Sequence, residues 1–322
     1  MPRIIGYRCP ICKTVNPTEI KYCLKCGQWL LDTINEATPV IRGSYFKKTS
    51  NSHSLLSWKN ILVAVVIGII LIAISSTRTI TMPVLAFSKG TPVESKNYTW
   101  DYRGKSYQWE VEIPLSLLNY DRQITNDLQK YLNAGKSERQ AMYKVMPSVQ
   151  KKYLQDASKK NYVPWVTESN NYQFTGYIAQ WLDMQAEKEN LDSVQKVEFV
   201  QSFVGGAIPY HLDTGLQFPA QTLAESGKCS DKSFLAAAIL ANMGYKVALL
   251  SFHTKNHMTV GVALDGTTPS YSPAVGFDYN GTKYYFLEVT AAGWKVGQAS
   301  SGLGAVEPEV IIPVSCIPAL RG

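Results

Sequence analysis

Cys229, His257 and Glu288 lie far apart in a chain of 322 residues, yet they are the types needed for a thiol nucleophile, its base and the acid that orients the base. A thiol is mostly protonated at neutral pH. A nucleophilic cysteine therefore needs a helix N-terminus or a nearby imidazolium to favour the thiolate. Such a set would perform acyl transfer, attacking a carbonyl and passing through a thioester.

The elements that must carry these side chains are readable. Cys229 follows Ser226-Gly227-Lys228, and the chain then turns apolar and alanine-rich from Ser233 to Met243 and stops at Gly244. That pattern predicts a buried helix with the thiol in its first turn, where unpaired N–H groups and the helix dipole favour negative charge. The same N–H groups suit an oxyanion; the Cys229 amide is one donor, and the sequence names no second. Lys246 to Phe252 reads as a strand. His257 opens an alternating segment, His257-Met-Thr-Val-Gly-Val-Ala-Leu264, which puts it on a face with Thr259 and Gly261 at the mouth of the strand. Tyr284 to Thr290 reads as a further strand with Glu288 on the face of Tyr284 and Phe286. A carboxylate in so apolar a run needs a partner, either the imidazole or a lysine or arginine of the fold. His211 and His253 are rival bases in polar, turn-like surroundings; Asp231, Asp265 and Asp278 are rival orienters. Asp231, in the first helical turn, is explained as a dipole partner.

Read in order, Phe199-Val-Gln-Ser-Phe203, Ile208-Pro-Tyr210, Asp213, Phe218-Pro219, Thr222-Leu223, Gly227-Lys-Cys229-Ser-Asp231, Leu240, Gly244-Tyr245, His257, Glu288-Val-Thr290 and Trp294 resemble the transglutaminase-like superfamily. The resemblance implies a papain-type triad in which Cys229 is the nucleophile, His257 the general base and acid, and Glu288 the orienting group. The family's commonest acid is aspartate, and here it is glutamate. The implied fold is α+β, a papain-like, transglutaminase-like core with the cysteine helix packed on an antiparallel sheet that bears the histidine and the acid.

The N-terminus carries a separate signal. Cys9-Pro-Ile-Cys12 and, ten residues on, Cys23-Leu-Lys-Cys26-Gly27 form two Cys-x-x-Cys knuckles, a spacing that brings four thiolates to one tetrahedral Zn2+. Two disulfides are the other use of such cysteines, but paired knuckles favour metal. With Asn16-Pro17 and Tyr22 between the knuckles, the segment resembles the zinc ribbons that begin many prokaryotic membrane proteins. So small a fold is held by its structural metal. It has no basic helix and little aromatic surface, so a structural or protein-docking role is expected and no nucleic acid.

Ile61 to Ile74 is unbroken and apolar. With Trp58 and Lys59 before it and Ser75, Ser76 and Thr77 after it, Ser57 to Thr77 is long enough to span about 30 Å as a helix. A zinc knuckle and a linker ahead of the apolar core argue against a cleaved signal peptide, and apolar residues on every face argue against an ordinary soluble helix. Of the net charge of +7, nearly all lies before the span: residues 1 to 59 hold nine Lys and Arg against three Asp and Glu. The positive-inside rule then expects a single-pass membrane protein with a cytoplasmic N-terminus and an extracytoplasmic C-terminal domain, the basic stretch meeting the anionic inner leaflet. Two sequons, at Asn97 and Asn280, suit that side. Only Cys229 and Cys316 would lie outside; they could pair, but Cys316 reads as a buried strand residue, and a free Cys229 is preferred.

The expected organisation is a zinc ribbon over 1–32, a basic linker over 33–56, a transmembrane helix over 57–77, a linker over 78–96 and a transglutaminase-like domain over 97–322. Within that domain, 97–195 supplies a hairpin ended by Pro114 and then helices, and 196–322 the Cys-His-Glu core. Residues 87 to 97 read as a polar linker. Trp165 and Trp181 fit a substrate groove or the core. No internal repeat, nucleotide-binding glycine loop or second metal set is visible. The expected activity is that of a cysteine peptidase or amidase, or a transglutaminase-type acyltransferase, acting on protein or peptide substrates at the membrane without a catalytic cofactor. The alternative is an inactive papain-like binding or assembly module.

Overall fold

The computed structural model describes residues 4–8, 15–16, 38–41, 79–88, 90–212, 215–304 and 306–314. The four ribbon cysteines, the expected span 57–77 and Cys316 lie outside them. Among the described residues no helix is long and apolar enough to cross a membrane. The chain divides into two compact units, one of 1–80 with 103–106 and one of 81–102 with 107–322. In the first, β1 (Ile4–Arg8), β2 (Val15–Asn16) and β3 (Thr38–Ile41) form an antiparallel sheet in the order β2-β1-β3.

The second unit is mixed α and β. After β4 (Thr79–Thr81), strands β5 (Val93–Tyr102) and β6 (Lys105–Pro114) make the expected hairpin, turning at Arg103 and Gly104, both at positive φ. β5 begins at Val93, inside the stretch read as linker, because Tyr98, Trp100 and Tyr102 give it an alternating buried face that the strand follows outward. The helices expected after Pro114 begin with α1 (Leu115–Asn133), α2 (Lys136–Val145) and α3 (Ser148–Ser158), separated at Gly135 and Pro147. Then come α4 (Val163–Val166), α5 (Ser169–Lys188), α6 (Ser193–Ala207), α7 (Pro219–Ala224) and α8 (Cys229–Asn242).

A second sheet follows. β7 (Val247–Phe252), β8 (His257–Val262), β9 (Gly276–Tyr279), β10 (Thr282–Leu287) and, after the short α9 (Ser301–Gly304), β11 (Val310–Val314) are ordered β11-β7-β8-β10-β9, antiparallel throughout. Pro313 pairs with Ala248 in the β11–β7 ladder. The β7–β8 turn is a 3-10 turn, His253–Lys255, with Asn256 left-handed; the Glu309 carboxylate accepts from the His253 and Thr254 amides.

Two aromatic clusters fix the layers. Trp100 stacks on Tyr107 with ring centroids 5.3 Å apart, and Phe199 and Phe203 of α6 meet them, so the hairpin and α6 share one core. Tyr153, Trp165, Phe218 and Phe234 join α3, α4 and α8. Trp165 therefore belongs to the core rather than to a groove. Helix α8 packs against α5, α6, α7, β7 and β8, and Phe234 to Leu240 are wholly buried, as a helix apolar on all sides requires. It ends at Gly244, φ +90, the left-handed residue that releases the chain into β7.

Candidate active site

Cys229 is the first residue of α8, half-buried and free. Its approach is tightly built. The Gly227 amide donates to Pro209 O (3.1 Å), and the His211 amide to Gly227 O (3.2 Å). A Cβ on Gly227 would come within 2.8 Å of Thr222 Cγ2 and 2.9 Å of Asp231 Cβ, so only glycine fits two residues before Cys229. Buried Asp231 accepts from the Lys228 amide and from the Gln217 amide, each at 3.2 Å, capping the first turn as its position suggests. Ser233 Oγ lies 2.7 Å from Cys229 O and 3.1 Å from Met258 O, tying the first turn of α8 to the strand residue beside His257.

His257 opens β8 opposite Phe252, as the alternation implies. Its Nε2 is 3.0 Å from Glu288 Oε2, and the Cys229 thiol lies close enough to the imidazole to act on its charge. With Nε2 on the carboxylate, Nδ1 is the nitrogen left for sulfur. Burial alone would lower the imidazole's pKa, but the Glu288 charge, the neighbouring Cys229 and the hydrogen bond to Glu288 raise it well above its ordinary value. Burial would likewise raise Glu288; His257 and Thr290 hold it below the usual carboxylate range. The buried imidazolium–carboxylate pair thus stands beside Cys229 at the N-terminus of α8.

Glu288 does not lie within a strand. β10 ends at Leu287, one residue short, because the Glu288 carbonyl turns to Gln201 Nε2 (2.8 Å). Thr259 Oγ1 donates to Leu287 O at this strand end. Continued through Glu288, the β8–β10 register sets it opposite Thr259, and so on the face of His257. The carboxylate has the imidazole on one oxygen, and the Thr290 amide (3.0 Å) and hydroxyl (2.7 Å) on the other.

Two side chains here escaped the sequence reading. Lys232, wholly buried one turn after Cys229, donates from Nζ to Ile208 O (2.8 Å), Thr290 O (3.1 Å) and Gly205 O (3.4 Å). Gln201 Nε2, besides Glu288 O, reaches Ala291 O at 2.6 Å. Lys232 is set among Ser230, Asp231 and Ser233, so nothing beside it in sequence marks it as buried. Of the rivals, His211 is exposed although its backbone borders Gly227, and His253 sets its Nδ1 3.4 Å from Ser251 Oγ. Asp265 pairs with Lys246 at the surface, and Asp278 is exposed.

Among the described residues no group of His, Cys, Asp and Glu could hold a metal ion. No family model matches the chain, and neither a curated protein nor a solved structure matches it.

Proposed function

We propose that the protein is a transglutaminase-like cysteine hydrolase, anchored by a single membrane span and acting on peptide or carboxamide bonds through a Cys229 thioester. The observation that carries this reading is the order sulfur, imidazole, carboxylate: the Cys229 thiol at the start of α8 beside His257, and His257 Nε2 3.0 Å from Glu288. His257 takes the thiol proton, and the thiolate attacks the carbonyl carbon. As the tetrahedral intermediate collapses, the C–N bond breaks and the amine leaves with that proton. Water, losing a proton to His257, then opens the thioester, releasing the acid and restoring the thiol. The Cys229 amide at the helix start is the oxyanion donor in this scheme.

The α+β core, with the cysteine helix laid on an antiparallel sheet that carries the histidine, agrees with a papain-like arrangement. For the N-terminus, Cys9, Cys12, Cys23 and Cys26 form a complete four-thiolate donor set for Zn2+, whose role is structural. The pairing of Arg8 with Val15 and Tyr7 with Asn16 suits a ribbon, because it brackets the first knuckle between two strands. In this reading the ribbon and basic linker are cytoplasmic, and the catalytic domain lies outside the cell membrane.

The test is residue-resolved alkylation of the full-length protein by iodoacetamide, with a peptide and carboxamide substrate screen beside it. Labelling of Cys229 at pH 6, lost in His257→Ala, with turnover lost in Cys229→Ala, is the expected result. Labelling only above pH 8 and no turnover would make the domain a tethered binding module instead.

A further inference from the structure

Glu288 stands just beyond its strand, where no ladder holds it, and yet its carboxylate must stay aimed at His257. What fixes the segment from Glu288 to Ala291 is a pair of buried donors from two helices. Gln201 on α6 spans the carbonyls of Glu288 and Ala291 at 2.8 and 2.6 Å. Lys232 on α8 takes the Thr290 carbonyl at 3.1 Å together with those of Ile208 and Gly205, at the end of α6. Gly205 lets the segment come close: a Cβ there would lie 2.5 Å from Ala291 O. Between the two clamped carbonyls of Glu288 and Ala291 sits Thr290, whose amide and hydroxyl hold the carboxylate.

Lys232 is an expensive way to make a fold. Its side chain is fully buried, among the described residues its hydrogen-bond partners are carbonyls and no carboxylate, and burial lowers its ammonium to about 7 against the opposing pull of Glu288. A methionine would fill the space at less cost. A donor with three carbonyls converging on it is explained by what those carbonyls belong to.

We propose that Lys232 and Gln201 are positioning residues of the active site: from the nucleophile's own helix and its neighbour they clamp residues 288–291, so that Thr290 aims Glu288 at His257. This inference rests on the Cys-His-Glu reading. It also makes the distance from sulfur to carboxylate a property of one helix, because Cys229 and Lys232 are separated by a single turn of α8.

The experiment measures the rate of Cys229 alkylation by iodoacetamide from pH 5 to 11 in the full-length protein, for Lys232→Met and Gln201→Leu, each alone and each with Glu288→Gln. A loosened carboxylate weakens the imidazolium that faces Cys229. Each single variant should thus alkylate about tenfold more slowly at pH 6 and lose its imidazolium about one pH unit lower than the parent. On the Glu288→Gln background the same substitutions should change little, because there is no charge left to aim. Wild-type rates and inflections in both singles would overturn the clamp, as would an equal loss on the Glu288→Gln background, which marks general loosening. If Lys232→Met fails to fold, Gln201→Leu carries the test alone, since it reaches the same segment through different carbonyls. A wild-type Cys229 that alkylates only above pH 8 would remove the triad itself, and the clamp with it.

Discussion

Thr290 gives Glu288 two hydrogen bonds from a distance of two residues, its amide at 3.0 Å and its hydroxyl at 2.7 Å, both on the carboxylate oxygen that His257 does not use. The acid is thereby gripped on one oxygen and offers the other. Hydrogen bonds to a charged group are worth about 1.5–3 kcal/mol, more than those between neutral partners. Thr290→Val keeps the amide and removes the hydroxyl. Alkylation of Cys229 at pH 6 should fall by about tenfold in this variant with the fold intact, and an unchanged rate would show that the amide alone suffices.

Glu288→Gln tests the charge itself. With the carboxylate gone, the main reason for a raised imidazole disappears, and the upper inflection of the alkylation profile should move from about 10 toward an ordinary histidine value. The pair also links stability to pH. The raised imidazole contributes fully below about 6.5 and loses its contribution as pH climbs through about 10. The lowered carboxylate contributes fully above about 4.5 and loses its contribution as pH falls through about 2. The difference in Tm between wild type and Glu288→Gln should be widest between about pH 4.5 and 6.5. Breaking a buried pair costs roughly 3 kcal/mol, which for a domain of this size is about 6–12 °C. A gap that does not change with pH would mean that the two groups are not charged together.

Asp121 makes the opposite prediction. It is wholly buried in α1, with Asn171 Nδ2 on Oδ1 at 2.9 Å, the Gln221 backbone as a further donor to the carboxyl group, and Glu168 and Arg122 acting on it through their charge. Burial raises its pKa to about 7 against the Asn171 hydrogen bond, with Glu168 adding and Arg122 opposing. Because the folded state holds the proton more tightly than the unfolded chain, this stability is full below about pH 3.8 and is lost as pH rises through about 7. Asp121→Asn should gain on the wild type across that window, on the order of 2–4 kcal/mol by chemical denaturation, and hold the gain above it. A difference that stays flat from pH 4 to 8 would rule out a protonated Asp121.

Gly205→Ala places a Cβ 2.5 Å from Ala291 O and 2.9 Å from Ala292 N, both backbone atoms that cannot rotate away. The substitution should cost about 2 kcal/mol, a Tm lower by roughly 4–8 °C, and because the displaced segment carries Glu288, Cys229 alkylation at pH 6 should fall with it. Gly206→Ala meets side-chain atoms at 3.2 Å or more and should be milder in both measurements.

The cysteine helix was legible because its signals are local: a glycine that no other residue could replace, an alanine-rich run, and a left-handed Gly244 as the stop. The β5–β6 hairpin was legible for the same reason, through alternation and its turn. What the sequence hid depends on distant partners. Glu288 read as a strand residue because apolar neighbours extend the alternation, and nothing nearby in sequence shows that its carbonyl is taken by Gln201, 87 residues earlier. Lys232 looked like an ordinary charge at a helix start, since the carbonyls that bury it come from residues 205, 208 and 290. Gln201 sat inside a recognisable motif, but its role there is set by where α6 lies against the end of β10.

A ladder that runs on through Pro313 must turn that residue's missing N–H outward, away from β7. The outer rim of β11 thus lacks a donor at its penultimate residue, and an incoming polypeptide cannot lengthen the sheet there without a gap. The opposite rim, β9, is only four residues long. Among the described residues, an extended chain therefore meets a poor template at either border of this sheet.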